Sequence, residues 1–346
     1  MPNTPEEKKR AIQEKLQTAI ELEWSTIPPY LVAYYSLRPD KNREAAALIK
    51  SVFMEEMLHL VLAANVLTAT GGGARIGAEN CPAYPLRLEF QGKAFADRRF
   101  DIHLAAFSPQ SIETFLRIEL PQALQPARAA ASMERLVVEG STIGEFYEGL
   151  KRELAALCQE KDEAFVFTGK FEHQVRPHSY WSAGGGIIQV RNLQTALQAL
   201  DIIVDQGEGA SGTIQTGDLG YFRNPKEVAH YFRFNEIKEQ RKYAPEDRPF
   251  DPPSGEPLAV DYSAIHPIKT DCRPVDFEGD AKLAELNARF NRTYSLMLEQ
   301  LREAFNGNPE VLFSATMDGM HGLRDLAVAM MQIPLPRDPL HHAAPT

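Results

Sequence analysis

The amino-acid sequence predicts an all-α protein: a four-helix bundle with additional C-terminal helices and long irregular loop insertions. Two observations carry this. Apolar residues recur at helical spacing through 5–37 and 42–70, and the short link between these stretches makes them antiparallel neighbours. The same periodicity returns at about 142–160, 192–208, 225–241, 280–306 and 309–333, while strand-like alternation is confined to Leu86, Leu88 and Phe90.

The first helix opens with Thr4 as N-cap, Pro5 in the first turn and the acidic pair Glu6 and Glu7. At about 100° per residue, Ile12, Leu16, Ala19, Ile20 and Ile27 form one stripe, with Glu23 inside it and Glu21 opposite. A buried carboxylate is costly without a partner. Glu23 therefore pairs with an arginine, caps a neighbouring helix or binds a metal. Pro28-Pro29 kinks or interrupts the helix, and Tyr30–Leu37 carries its direction onward.

The second helix stops at Gly71-Gly72-Gly73. Val52, Glu55, His59, Leu62, Ala63 and Val66 share a face, with Glu56 at its edge. Residues three apart are neighbours on a helix surface, so Glu56 and His59 can address one point. Glu-x-x-His on an inward face is half of a carboxylate-bridged dinuclear metal site; a hydrogen-bonded core histidine is the commoner reading of His59 by itself, and the adjacent carboxylates weigh against it.

Residues 74–109 read as irregular chain with a short strand or hairpin, and Ser108-Pro109 restarts a helix that runs through Arg117. The Ala/Pro-rich 121–131 is an excursion. Thr142 or Ser141 caps the next helix, with Glu145 completing a capping box. The Gly-rich, aromatic 165–188 is a loop over a pocket, its His173 and His178 solvated rather than ligating.

The third bundle helix, 192–208, buries Leu193, Ala196, Leu197, Leu200, Ile203 and Val204. Glu208 lies beside that stripe between Gly207 and Gly209, either as a ligand or as an exposed terminal glutamate. The fourth begins at Asn224-Pro225 and contains Glu227-Val-Ala-His230, a second Glu-x-x-His. A capping box on Asn224 also explains Glu227 and leaves His230 unexplained. After a Pro-rich wrapping loop, 241–276, come the two C-terminal helices, whose methionines are core packing. The tail after 334 is expected to be disordered.

The composition narrows the function. A formal net charge of −10, without a long basic run, argues against nucleic acid or an anionic membrane as partner. The most apolar run, 52–69, is broken by Glu55, Glu56 and His59, which argues against a membrane span. Three scattered cysteines make neither a disulfide framework nor a thiolate zinc site, and the charged N-terminus is no secretory signal, so a cytoplasmic setting is expected. With 44% hydrophobic residues, 1–346 is read as a single domain.

Glu23, Glu56 with His59, Glu208, and Glu227 with His230 follow the order of a four-helix carboxylate site. Each has an ordinary explanation alone; together, on helices that must pack, they point to two metal ions. Carboxylates with two imidazoles suit iron most, with manganese the alternative.

Glu21-Leu-Glu-Trp-Ser-Thr-Ile-Pro-Pro-Tyr-Leu31, Glu55-Glu-Met-Leu-His-Leu60, Asp205-Gln-Gly-Glu-Gly209 and His230-Tyr-Phe-Arg-Phe234 give the chain a specific resemblance. It resembles the ferritin-like domain of the iminophenyl-pyruvate dimer synthases of the violacein pathway, in a stand-alone form. Phe107-Ser-Pro, Thr142-Ile-Gly-Glu-Phe-Tyr147 and Phe290-Asn-Arg-Thr-Tyr294 extend the similarity over most of the chain. The resemblance implies a ferritin-like bundle with Glu23, Glu56, His59, Glu208, Glu227 and His230 as metal ligands. This chain is far shorter than the pathway enzyme, so dimerisation of an imine is not carried over.

The expected function is that of a non-haem, di-iron redox enzyme acting on a small organic substrate with dioxygen or peroxide. The long loops build its pocket, with Tyr30, Tyr180 and Trp181 as candidate aromatics. The alternatives are a ferroxidase or iron store, and a metal-free helical binding or scaffold protein. No residue is assigned a catalytic role, and a homodimer through helix faces is compatible with such a bundle.

Overall fold

The computed structural model describes residues 4–38, 40–91, 98–121, 124, 135–139, 142–179, 186–209, 213–216 and 228–346. Its axis is a hairpin of two long helices, α1 (Pro5–Ser36) and α2 (Arg43–Ala69). The Thr4 hydroxyl accepts from Glu7 N, and the Glu7 carboxylate accepts from Thr4 N, a complete capping box. Helix α1 continues through Pro28 and Pro29. Pro29 has no N–H for the Ser25 carbonyl, which accepts instead from the Tyr84 hydroxyl at 2.7 Å. Helix α2 ends in the left-handed turn at Gly71 (φ 82°), where Gly72 N reaches back to Leu67 O.

The other half of the bundle is built differently from the sequence expectation. Each of its two helices is broken. One consists of α3 (Pro109–Ile118) and α4 (Ile143–Glu160), both antiparallel to α1. Phe107 N bonds Ser36 Oγ and Tyr30 bonds Glu119; farther along, Tyr147 bonds Glu23, and Lys15 and Lys8 pair with Glu153 and Glu160. The other consists of α6 (Leu193–Glu208) and α7 (His230–Glu239), both antiparallel to α2. Gln206 meets His59, His230 meets Glu55, and Arg233 meets Ser51. A one-turn α5 (Glu163–Val166) separates the two broken helices.

The stretch 192–208 is therefore half of the fourth bundle position rather than the third, and 142–160 belongs to the bundle rather than being additional. The helix expected over 225–241 starts at His230, because Val228 forms a β-bridge with Gln215 and Ala229 is extended (ψ 166°). Lys151–Asp201 and Lys238–Glu113 tie α4 to α6 and α3 to α7. Leu16, Ile20, Leu22, Val52, Leu62, Val66 and Leu200 are fully buried between these layers. Each such side chain contributes about 1.5–3 kcal/mol.

Outside the bundle, β1 (Leu86–Gln91) pairs antiparallel with β2 (Arg98–Ile102) and parallel with β3 (Arg135–Glu139). The hairpin was expected; β3 was not. The C-terminal layer comprises α8 (Ala281–Phe305), α9 (Leu312–Ser314), a π-helical stretch over Ala315–Met320 and α10 (His321–Met331). The tail after 334, expected to be disordered, is ordered. Strand β4 (Pro334–Leu335) pairs with β5 (Asp338–His342), and Leu335, Ala343 and Ala344 bury with Ile268, Cys272, Phe277 and Leu283.

Candidate metal centre

Both broken helices are interrupted at the level of Glu23 and Glu56, and the candidate centre occupies that plane. Helix α1 supplies Glu23 and α2 supplies Glu56 and His59. The C-cap of α3 supplies Glu119, and the first residue of α7 supplies His230. All five are buried, with exposures of 5% or less. They form two groups, Glu23–Glu56–His59 and Glu56–Glu119–His230, in each of which the donor atoms lie within 4.8 Å of one another. Glu56 belongs to both.

Both histidines turn the same nitrogen inward. His59 Nδ1 is 3.4 Å from Glu23 Oε2 and 3.6 Å from Glu56 Oε1. His230 Nδ1 is 2.8 Å from Glu56 Oε1 and 3.4 Å from Glu119 Oε2. The outward nitrogens have fixed partners: His59 Nε2 meets Gln206 Oε1 and His230 Nε2 meets Glu55 Oε2, each at 2.8 Å. Both partners are acceptors, so each Nε2 carries a hydrogen and each Nδ1 can present a lone pair to the carboxylates.

Hydroxyls orient the remaining oxygens. Tyr147 donates to Glu23, Tyr30 to Glu119, and Thr26 Oγ1 lies 2.7 Å from Glu56 Oε2. Burial, then the neighbouring carboxylates, raises both phenols well above their ordinary pKa, so they remain donors. Tyr30 is held by Phe115 and Phe234, at ring separations of 4.6 and 5.2 Å.

The electrostatics suit a cation. Glu23, Glu55, Glu56 and Glu119 are all buried here, and Arg233 is the buried cation among them. Burial, followed by the charges of Glu119 and Glu23, pushes Glu56 up to about 7. Burial opposes ionisation of Glu55 as well, but Arg233 and His230 outweigh it and bring Glu55 down to about 2. Burial opposes protonation of His230, yet its three glutamate neighbours raise it well above the usual imidazole value. His230 Nδ1 is buried without a well-formed hydrogen bond despite its closeness to Glu56. An orphaned imidazole nitrogen aimed into a cluster of carboxylates is what a metal ion would satisfy, and the donor set of hard oxygens and imidazoles fits iron or manganese.

Of the six residues expected as ligands, the structure brings together Glu23, Glu56, His59 and His230. Glu208 is in neither group: it is half-buried and its Oε1 accepts from Gly144 N at 3.0 Å, capping α4. A Cβ at Gly144 would meet that carboxyl at 2.5–2.7 Å, so glycine is what admits it. Glu227 lies outside the described residues, as do Tyr180 and Trp181.

Glu119 was missed, although Ile112, Phe115, Leu116 and Glu119 keep one helical face and would have placed it inward. His173 lines a cleft with Arg75, Arg302 and Asn306, and His178 faces Glu310; neither joins the centre. A narrow crevice of about 10 Å³, no roomier than one water, lies between Leu120, Ile143, Ile203 and Val204 and reaches Glu119 where the helices break.

Helix α2 is long and apolar enough to cross a membrane, but 89% of its most apolar window is buried inside the bundle.

Comparison with known proteins agrees with this architecture. The ferritin-like family model matches residues 16–239. Over 317 residues the chain is 26% identical to a dichlorochromopyrrolate synthase of Lentzea aerocolonigenes, covering 82% of this chain and 28% of that protein. It is 24% identical to a 2-imino-3-(indol-3-yl)propanoate dimerase of Chromobacterium violaceum, covering 95% of this chain and 33% of that protein. The matched region thus spans about a third of the length of these relatives. A ferritin-like protein from Caulobacter vibrioides superposes with a TM-score of 0.61 at 19% identity, covering 97% of each chain.

Proposed function

This chain belongs to the ferritin-like family, and from that premise we propose that it is a dinuclear metal-dependent redox enzyme acting on a small organic molecule with dioxygen or peroxide. The observation that carries the reading is the sharing of Glu56 between two buried carboxylate–histidine groups. One group alone is a common structural network; two groups joined through one carboxylate would hold two ions.

Iron is the metal we assign; Glu23, Glu56 and His59 would hold it on one side and Glu56, Glu119 and His230 on the other. When bound, it supplies the electron-transfer and oxygen-activating chemistry. The protein's part is to prepare the donors. Uptake requires Glu56 to lose its proton and each imidazole to offer Nδ1, so loading releases protons. Arg233 keeps Glu55 ionised, Glu55 and Gln206 hold the imidazoles in register, and the tyrosine hydroxyls keep Glu119 and Glu23 facing inward. The buried setting of all five donors excludes bulk water from the centre. The relatives' names make an aromatic imino acid such as 2-imino-3-(indol-3-yl)propanoate the first substrate class to test.

The test is elemental analysis of protein produced with iron and manganese, beside a Glu56→Ala/His230→Ala double variant, followed by oxygen-consumption assays with aromatic imino acids. Two ions per chain in the parent, none in a folded variant, and substrate-dependent oxygen uptake are expected. A parent that stays metal-free after anaerobic reconstitution would overturn the reading. Oxidation of ferrous iron with no organic turnover would make the protein a ferroxidase instead.

A further inference from the structure

Among the described residues the two groups are matched in nearly every respect. Each has one histidine facing inward through Nδ1, one terminal glutamate held by a tyrosine hydroxyl, and a share of Glu56. They differ in what stands behind the imidazole. Behind His59 is a neutral amide oxygen, Gln206 Oε1; behind His230 is a carboxylate, Glu55 Oε2, each at 2.8 Å.

We infer that the two metal positions are inequivalent, and that the position containing His230 binds its ion more tightly and fills first. This rests on the dinuclear reading above. A carboxylate accepting from Nε2–H pushes electron density through the ring and makes Nδ1 the better donor; an amide does so much less. Glu55 is equipped for this. Arg233 reaches both of its oxygens, at 3.1 and 3.0 Å, and is itself fixed to Val228 O at 2.6 Å and Ser51 Oγ at 2.9 Å. The guanidinium takes some charge from Glu55 and fixes its carboxyl group against His230 Nε2 in a buried place. Gln206, on the last turn of α6, serves its imidazole through a neutral amide dipole. Glu55 and Gln206 are positioning residues, because each acts on the ion only through a histidine.

Outer partners of metal-bound histidines change affinity by about 10–100-fold, which sets the expected difference between the two positions. Repulsion between two ions across Glu56 produces two binding steps even at equal sites, so the identity of the tighter site decides the matter. The measurement is anaerobic titration of the metal-free protein with manganese(II), with free ion read by electron paramagnetic resonance. His59→Ala leaves the His230 position and should bind one ion about 10–100-fold more tightly than His230→Ala, which leaves the other.

Adding Glu55→Gln to His59→Ala should remove most of that advantage. If unpaired Arg233 prevents folding of that protein, Gln206→Glu in the His230→Ala background should instead raise affinity toward that of the favoured position. Equal affinities in the two single-histidine variants, or tighter binding by His230→Ala, would overturn the inference while leaving the dinuclear reading standing. Absence of manganese and iron binding by the parent would overturn both.

Discussion

The hydroxyl of Thr26 lies between the Glu23 carbonyl, at 2.8 Å, and Glu56 Oε2, at 2.7 Å. It has one hydrogen to give and two acceptors to serve. With Glu56 protonated, the carboxyl can donate to Thr26 while Thr26 bonds the backbone. Once Glu56 is ionised, the Thr26 hydrogen can turn to it. Thr26→Val keeps the shape and removes this donor, and should weaken metal binding by about 1.5–3 kcal/mol, the scale of a hydrogen bond to a charged group. Thr26→Ser should restore it; unchanged manganese affinity in the valine variant would place the hydroxyl's role in the helix alone.

The metal-free protein should lose stability as pH rises from about 5 to 8. Glu56 is raised to about 7 in the folded state, from about 4.3 when unfolded. Its contribution is therefore full below the unfolded value and lost as pH climbs through 7. His59 is also raised, burial being outweighed by Glu23 and Glu56, so its contribution is full below the unfolded imidazole value and lost above it. Glu55 runs the other way, but its window lies between about 4.3 and 2, below this range. Thermal melts of chelator-treated protein should show the fall. Metal-loaded protein should show none, because deprotonation then favours binding.

Glu119 and Glu208 are distinguished by their variants. Glu119→Ala should cost one bound ion and displace Tyr30 from its partner. Glu208→Ala should leave the ion count intact and cost about 0.5–2 kcal/mol, the scale of a lost helix cap, at the start of α4. Metal analysis and melting of the two variants together would show the reverse assignment if Glu208 were the ligand.

Removal of the chain after Ile333 should lower stability by about 2–5 kcal/mol, since it uncovers the surface that Leu335, Ala343 and Ala344 bury. A truncated protein melting at the parent temperature would show that this segment adds no net stability.

Much of the centre was legible because it sits on continuous helix. Glu23 announces itself by falling inside an apolar stripe, and Glu56 with His59 by spacing on a helix that runs unbroken from Arg43 to Ala69. Legibility failed where a helix stops. Periodicity reports a face only within one element, so α3 and α4 read as separate minor helices and α6 and α7 as two bundle positions. Glu119, one residue past the end of α3, fell outside the window that ended at Arg117. The glycines beside Glu208 drew attention to a carboxylate that the structure places against Gly144 N, at the start of α4. The tail misled for another reason: its apolar residues are few, and their burial depends on Phe277 and Leu283, distant in sequence.

The broken helices also bear on how the molecule can move. Neither α3–α4 nor α6–α7 is one unbroken helix through the plane of the centre; α1 and α2 are, although Pro28 and Pro29 leave two rungs of the α1 backbone ladder unmade. Two stiff rods thus act as the spine of a joint whose other side is cut across. The α3–α7 block carries Glu119 and His230, and the α4–α6 block carries the partners of Glu23 and His59, Tyr147 and Gln206. Glu56 sits on the spine at the level of the cut. Any rocking of one block against the other changes the distance between the two metal positions with Glu56 as the pivot, so a ligand pressing on either block gains leverage on the centre without touching it.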